Sequence, residues 1–157
     1  MIDKYNVFEL LNNLKIKKGD AIIVHSDAMI LAQFENFKEK IDFNNFFQNI
    51  INYIGKEGTL IIPTFTYSAT KEEIYEPLKS ESKVGLLSNE FLKFKNISRT
   101  SHPIFSFAII GYYKNKILKH NNFSCFGIDS IFSLFHKISS KILCLGCSSK
   151  NSITFMH

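Results

Sequence analysis

Apolar positions along the chain follow a helical spacing in some segments and form short uninterrupted runs in others. Residues 7–14 carry apolar side chains with the i, i+3, i+4, i+7 spacing that is typical of an amphipathic helix. Residues 42–54 repeat this spacing with phenylalanine and isoleucine along one face. These two patterns predict helices in the first third of the chain.

Four apolar runs predict strands that are buried on both faces. They cover residues 21–24, 59–62, 104–111 and 141–145. We expect Pro63 to end the second strand, because a proline cannot donate a ladder hydrogen bond.

Further helices are predicted between and after these runs. Residues 88–94 suit a short helix with Ser88 as its N-cap, residues 112–120 a polar helix or turn, and residues 129–136 another helix. The polar residues 68–83 are predicted to form a long loop. Strands that alternate with helices predict an α/β fold with a mixed, mostly parallel central sheet flanked by helices.

Composition and charge narrow the class of protein. The 157 residues suit one domain, and contents of 45% hydrophobic and 21% charged residues are those of a soluble globular chain. The net charge of +5 comes from lysines spread along the chain, and Arg99 is the only arginine. Without a dense basic segment or a basic aromatic face, we expect no nucleic-acid partner.

The targeting and cysteine patterns favour a cytoplasmic protein without a membrane partner. The first residues lack the basic start and apolar stretch of a signal peptide, and no apolar run reaches the ~18 residues of a membrane span. Three cysteines do not indicate a disulfide scaffold, and Cys144 and Cys147 are interpreted as buried small residues. The histidine spacings match no metal signature, so no metal site is predicted.

Polar side chains cluster where the first two predicted strands end. His25 and Ser26 follow the first strand, and the segment 64–68 follows the second. Ligands of α/β proteins bind at the carboxyl ends of strands, where hydroxyls and free N–H groups can hold phosphate or amide oxygens. The same residue types also cap helices and satisfy turns, so each cluster alone is weak support for a site.

Six segments in order resemble motifs of the aminoglycoside 3-N-acetyltransferase family. They are residues 19–26 (GDAIIVHS), 58–68 (GTLIIPTFTYS), 84–91 (VGLLSNEF), 99–103 (RTSHP), 126–130 (FGIDS) and 152–157 (SITFMH). Two positions depart from the pattern: Asp27 stands where the family has a second serine, and Ser133 where it has a glycine. The matches span essentially the whole chain.

The resemblance implies transfer of acetyl from acetyl-CoA, as cosubstrate, to an amine of an amino sugar or aminoglycoside. It implies that neutral His157 is the general base and that His102 has a second catalytic role, unless His102 is a turn histidine bonded to backbone. Oxyanion donors would come from the turn 66–68 or from Ser101. The implied cofactor-binding residues are His25, Ser26, Thr64, Thr66, Tyr67, Ser68 and Ser101.

Several alternatives stay open. His25 fits a structural role as well as a functional one, and an exposed polar loop explains Glu72, Glu73, Glu76 and Glu81 as well as attraction to a cationic sugar does. Because members of the family continue past the segment 152–157, we expect residues 1–157 to form a single acetyltransferase-like domain truncated at its C-terminal end. The alternative function is a non-catalytic acyl-CoA-binding half or a remnant, with a homodimer or a complementary C-terminal polypeptide as partner.

Overall fold

The computed structural model of the chain describes residues 6–33, 42–120 and 124–152. Within these ranges one sheet is covered by helices on both faces. Its strands are β1 (Ala21–Ser26), β2 (Thr59–Pro63), β3 (Ser98–Arg99), β4 (Phe107–Gly111) and β5 (Lys141–Leu145). The α-helices are α1 (Val7–Asn13), α2 (Phe43–Ile54), α3 (Leu86–Leu92), α4 (Lys114–Leu118), α5 (Ile131–Lys137) and α6 (Ser149–Ser152). Ala28–Gln33 and Ser68–Lys71 form short 3-10 helices.

The strand order is β3-β4-β2-β1-β5. Strand β1 lies parallel to both of its neighbours, β2 and β5, whereas β4 is antiparallel to β2 and β3. Strand β3 therefore runs in the same direction as β1, β2 and β5, and β4 alone opposes them. This topology confirms the predicted mixed, mostly parallel α/β sheet.

Successive strand residues enter two separate cores. Ile22 and Val24 pack with α1, α2 and α3, whereas Ile23 between them packs with α4 and α5 on the opposite face. Phenylalanines fill both cores: the rings of Phe47 and Phe91 are 4.7 Å apart in the first, and Phe107 and Phe135 are 4.9 Å apart in the second. Burial on both faces explains why the strands are apolar at almost every position.

The starts of β4 and α3 were predicted wrongly, and strand β3 was missed. Strand β4 begins at Phe107 because residues 104–106 belong to a turn, and the two-residue strand β3 was too short to predict. Helix α3 begins at Leu86, after Gly85 with φ of 119°. Ser88 therefore lies inside the helix and is not its N-cap. Its hydroxyl donates to the Pro63 carbonyl at 2.7 Å.

Pro63 does not end the hydrogen bonding of β2. It pairs with Phe107 of β4, and beyond it the N–H of Thr64 donates to the Ser106 carbonyl at 2.8 Å. Pro63 is tolerated because the ladder between β1 and β2 has already ended at Ile23 and Ile61. The lack of an N–H on Pro63 therefore costs no hydrogen bond on the side that faces β1.

Candidate active site

A cleft opens where β1 and β2 separate. The two strands pair only as far as Ile23 and Ile61. Beyond that point β1 stays with β5 up to Ser26, and β2 stays with β4 up to Pro63. The gap lies at the carboxyl ends of both strands, the position at which α/β folds bind ligands.

This cleft has a volume of about 250 Å³. Its walls combine apolar side chains with hydroxyl, imidazole and thiol groups, and the exposed lining is more polar than apolar. The lining residues are Val24, His25, Ser26, Pro63, Phe65, Tyr67, Val84, Leu87, Ser88 and Cys147. We use "the cleft" for this set.

Ser26 brings an unused hydroxyl to the cleft. Its oxygen is shielded from solvent and has no hydrogen-bond partner among the described residues. An unsatisfied buried polar group costs about 1–3 kcal/mol, so such a group is rarely kept without a reason. A ligand in the cleft would provide the missing partner.

His25 is a neutral imidazole in the cleft wall. Burial lowers its pKa to about 4, so the ring carries no charge at pH 7. Its register partner on β5 is Cys144. A neutral imidazole has one donor nitrogen and one acceptor nitrogen, which suits it to polar uncharged groups.

Tyr67 contributes a phenol from a turn with unfavourable backbone geometry. Its φ of 55° lies in the left-handed region, which a bulky residue rarely occupies outside functional turns. The ring contacts Phe65 and Phe105 edge-on, with centroids 6.2 and 6.3 Å away. Burial raises the pKa of the phenol, so Tyr67 stays a protonated donor.

Thr64 lies beside the cleft but is engaged by Arg99. The threonine is fully buried and the arginine is 5% exposed. The Arg99 Nε donates to Thr64 Oγ1 at 3.0 Å and to Ser106 Oγ at 3.3 Å, and its Nη2 donates to the Thr64 carbonyl at 2.6 Å. The Thr64 hydroxyl therefore has a partner within the protein.

The opposite side of the Arg99 guanidinium holds the loop that precedes α3. Nη1 donates to the carbonyls of Pro77, at 3.1 Å, and Ser80. The guanidinium carbon also lies 5.2 Å from the ring centroid of Tyr75, whose hydroxyl donates to the Thr100 carbonyl at 2.6 Å. No carboxylate of the described ranges pairs with this cation. We call Arg99, Thr64, Ser106, Tyr75, Pro77 and Ser80 the Arg99 cluster.

His102 is held as a hydrogen-bond donor. The ring is buried, and its Nδ1 accepts the N–H groups of Ile104 at 3.1 Å and Phe105 at 3.0 Å. Those two donors place the ring proton on Nε2, which lies 3.8 Å from the Cys125 sulfur. Burial lowers the pKa of His102, so it is a neutral N–H donor bonded to backbone.

The structure brings three of the sequence-predicted residues together and leaves the others apart. His25, Ser26 and Tyr67 line the cleft, whereas Thr64, Thr66, Ser68 and His102 are buried outside its lining and Ser101 is exposed. Thr66 lies next to the His102 turn, because its hydroxyl donates to the Pro103 carbonyl at 2.9 Å. His157 lies outside the described residues.

Sequence reasoning missed the positions of Arg99, Ser88 and Cys147. Arg99 belongs to the motif of residues 99–103, yet nothing in the pattern showed that its side chain joins a loop to the sheet. Cys147 was interpreted as a buried small residue, whereas it is half-buried and lines the cleft. The C-x-x-C spacing was the available signal for this residue.

Two classes of feature are not found in the part of the chain that the structure describes. It contains no group of three or more His, Cys, Asp or Glu side chains placed to hold a metal ion. None of its helices has both the length and the apolar content needed to cross a membrane.

Residues 23–157 match the family model of the aminoglycoside 3-N-acetyltransferases. The chain belongs to this family. It is 24% identical to the SPbeta prophage-derived aminoglycoside N(3')-acetyltransferase-like protein YokD of Bacillus subtilis (strain 168), over 97% of this chain and 62% of YokD. It is 26% identical to the aminoglycoside N(3)-acetyltransferase IV of Salmonella sp, over 69% of this chain and 39% of that protein.

Solved structures confirm the acetyltransferase fold. The crystal structure of YokD from Bacillus subtilis superposes with a TM-score of 0.80 at 23% identity, over 96% of this chain and 66% of YokD. The apoenzyme of aminoglycoside acetyltransferase AAC(3)-IVa gives a TM-score of 0.78 at 22% identity, over 94% of this chain and 57% of that enzyme. The chain thus spans about three fifths of the length of these structural relatives.

Proposed function

We propose that the protein is an N-acetyltransferase that moves acetyl from acetyl-CoA to an amine of an amino sugar or aminoglycoside. The observation that carries this proposal is the cleft between β1 and β2, in which an unpartnered Ser26 hydroxyl and the neutral His25 ring lie at the carboxyl edge of the sheet. Membership of the family supplies the reaction class.

The cleft suits the slender end of acetyl-CoA better than its nucleotide. A volume of about 250 Å³ is below the usual range for drug-sized ligands, so it fits a thin chain rather than a ring system. Neutral hydrogen-bonding groups set among apolar side chains match a chain of methylenes and amides. When bound, acetyl-CoA supplies the activated thioester carbonyl that an amine attacks.

The residues of the cleft hold and orient uncharged groups. Ser26 has a free hydroxyl, and Tyr67 keeps its phenol proton because its pKa is raised. The N–H groups of Thr66 and Ser68 already donate to the carbonyls of Ile104 and Pro103. Those two N–H groups are therefore occupied, and Ser26 is the better donor to an oxyanion.

His102 suits a donor role better than a base role in this proposal. Its Nδ1 accepts two backbone N–H groups, so the ring has no free acceptor nitrogen. The proton of the attacking amine needs another acceptor, and the family resemblance leaves that role to His157 as a prediction. His102 would then donate a hydrogen bond, whereas His157 would accept the proton of the amine.

The acceptor class follows from relatives and from charge. AAC(3)-IVa has been crystallised as a histidine-to-alanine mutant in complex with apramycin and with a gentamicin. In this chain the loop that the Arg99 cluster anchors exposes Glu72, Glu73, Glu76 and Glu81. The loop also carries three lysines, so its net charge is only −1, and Glu76 is paired with Lys79. The other carboxylates can pair with the ammonium groups of a polycationic amino sugar.

A thiol-release assay tests the proposal. The purified chain is mixed with acetyl-CoA and a panel of aminoglycosides and simple amino sugars, and free coenzyme thiol is followed together with the mass of the acetylated product. We expect release that requires both substrates and falls by at least about 100-fold in His157→Ala, the usual contribution of a general base. Thermal stabilisation by acetyl-CoA without turnover would favour the non-catalytic acyl-CoA-binding alternative, and the absence of both effects would refute both functions.

A further inference from the structure

Two free thiols lie at the edge of the cleft. Cys147 is one of its lining residues, and Cys144 lies on β5 in register with His25. Both cysteines are half-buried, and neither is in a disulfide. Neither thiol has a part in the acetyl transfer described above.

Cys144 and Cys147 form a C-x-x-C pair across the bend that follows β5. Gly146 has a φ of 67°, and a Cβ on it would lie 2.8 Å from the Cβ of Ile30. Only glycine fits this tight turn without strain. Burial, followed by the nearby Cys147 thiol, raises the pKa of Cys144.

We propose that Cys147 is a thiol-exchange site for disulfides of the coenzyme, with Cys144 as the resolving thiol. This inference rests on the proposed function, because it takes the cleft to bind the sulfur end of the coenzyme. A ligand sulfur held there lies beside Cys147, and proximity accelerates the exchange.

The two steps of the exchange balance in atoms and electrons. The Cys147 thiolate attacks one sulfur of the symmetrical coenzyme disulfide, so a Cys147–coenzyme mixed disulfide forms and one coenzyme thiolate leaves. The Cys144 thiolate then attacks the Cys147 sulfur and releases the second coenzyme thiolate. Overall, two cysteine thiols are oxidised to one disulfide, their two protons pass to the two coenzyme thiolates, and the coenzyme disulfide is thereby reduced to two thiols.

The positions of the two cysteines indicate which of them attacks the coenzyme disulfide first. Cys147 faces the cleft, whereas Cys144 is not among the lining residues and its raised pKa leaves less thiolate. Cys125, the third free cysteine, lies 3.8 Å from the His102 ring and also does not line the cleft. Cys125 is therefore an internal reference for ordinary thiol reactivity.

The test follows the chain, reduced and freed of reductant, during reaction with coenzyme A disulfide by peptide mass spectrometry. We expect Cys147 to react at least about tenfold faster than Cys125, with acetyl-CoA slowing Cys147 alone. In Cys144→Ser the mixed disulfide on Cys147 should accumulate instead of resolving. In Cys147→Ser, Cys144 should not form a disulfide with the coenzyme, and labelling of Cys125 should be unchanged. Bis(2-hydroxyethyl) disulfide lacks the coenzyme's recognition groups. It should therefore show no preference for Cys147 over Cys125 that acetyl-CoA can suppress.

Two measurements separate failure of this inference from failure of the proposed function. Acetyl-CoA binding is measured by thermal stabilisation of the reduced wild-type chain. If acetyl-CoA binds but Cys125 reacts as fast as Cys147, or acetyl-CoA gives no protection, the thiol-exchange site is refuted and the acetyl-transfer proposal stands. If acetyl-CoA does not bind, both proposals are refuted.

Discussion

The cleft and the Arg99 cluster are neighbouring regions built from similar residues, and they differ in whether their hydroxyls have partners. Both lie where β2 leaves the paired sheet. In the Arg99 cluster the hydroxyls of Thr64, Ser106 and Tyr75 are all hydrogen-bonded within the protein. In the cleft the Ser26 hydroxyl has no partner among the described residues.

Arg99 accounts for this difference. A guanidinium has five N–H donors in a rigid fork, so a single side chain can engage the oxygens that a strand end and a loop expose. Satisfied polar networks make a region rigid, and an unsatisfied group costs free energy until a ligand binds. We therefore interpret the Arg99 cluster as the support and the cleft as the surface that it holds open.

The largest effect is expected from Arg99→Leu. The change leaves the carbonyls of Pro77 and Ser80 without their donor, and the Thr64 carbonyl keeps only the Ser106 hydroxyl. It should lower the free energy of unfolding by about 4 kcal/mol. Urea denaturation measures the loss. Lys93→Leu, which removes an exposed ion pair with Glu90, is the control and should cost less than about 1 kcal/mol.

Limited proteolysis adds a local readout to this comparison. Because Arg99 joins the loop to the sheet, cleavage after Lys79 or Lys83 should become faster in Arg99→Leu than in Lys93→Leu at matched overall stability. Equal cleavage rates would show that the Arg99 cluster does not hold the loop.

The next largest effect is a loss of stability in acid through His25. Its pKa is about 4 in the folded chain and 6.5 when unfolded, so the unfolded state binds the proton first. The contribution of His25 is complete above pH 6.5 and declines as the pH falls toward 4, by about 3 kcal/mol at most. The groups that share its surroundings, the Cys144 thiol and the Tyr67 phenol, have raised pKa values and stay uncharged in this window.

Denaturant unfolding at a series of pH values measures this slope. His25→Gln should remove most of it, and the remainder belongs to His102, whose pKa is lowered in the same direction. His136→Gln, at an exposed helical position, should leave the slope as it is in wild type. An unchanged slope in His25→Gln would mean that this ring is not buried in solution.

Local patterns were enough to predict most of the fold. The spacing of apolar residues indicated α1, α2, β1, β2 and β5 to within about a turn, because burial of apolar surface decides where these elements lie. Strand β3 was missed because its two residues depend on pairing with β4, and the start of β4 was misplaced because the His102 turn looks apolar in sequence. Both errors concern long-range contacts.

The site was harder to predict than the fold for a related reason. Ser26 and Thr64 are alike in sequence, since each is a small hydroxyl residue just beyond an apolar run. Which of the two is free to bind a ligand depends on Arg99, 35 residues away from Thr64. The same holds for His102, since residue type cannot show that two backbone N–H groups occupy its Nδ1.

A smaller effect is expected at the rim of the cleft from Gly146→Ala. The new Cβ combines a φ of 67° with a contact of 2.8 Å to Ile30, and should destabilise the chain by about 2 kcal/mol. Gly55→Ala is the matched control, because Gly55 has a φ of 73° but no atom within 4 Å of the added carbon. Thermal unfolding compares the two variants. Equal losses would show that backbone strain alone, and not the contact with Ile30, requires glycine at the rim.

The smallest effect compares the two hydroxyls directly. Thr64→Val removes an acceptor from Arg99 Nε and should cost about 1 kcal/mol, whereas Ser26→Ala removes a group without a partner and should leave stability unchanged or slightly higher. Acetyl-CoA affinity should respond in the opposite order. A lost hydrogen bond of about 1 kcal/mol corresponds to roughly fivefold weaker binding in Ser26→Ala, with little change in Thr64→Val.

Urea unfolding and a titration with acetyl-CoA on the same two proteins test this reversal. The comparison is informative because each variant deletes one hydroxyl, and the two hydroxyls lie at the ends of the adjacent strands β1 and β2. If Thr64→Val weakens coenzyme binding more than Ser26→Ala does, the Thr64 hydroxyl must give up its hydrogen bond with Arg99 and bond to the ligand instead. The Arg99 cluster would then be part of the binding surface rather than its support.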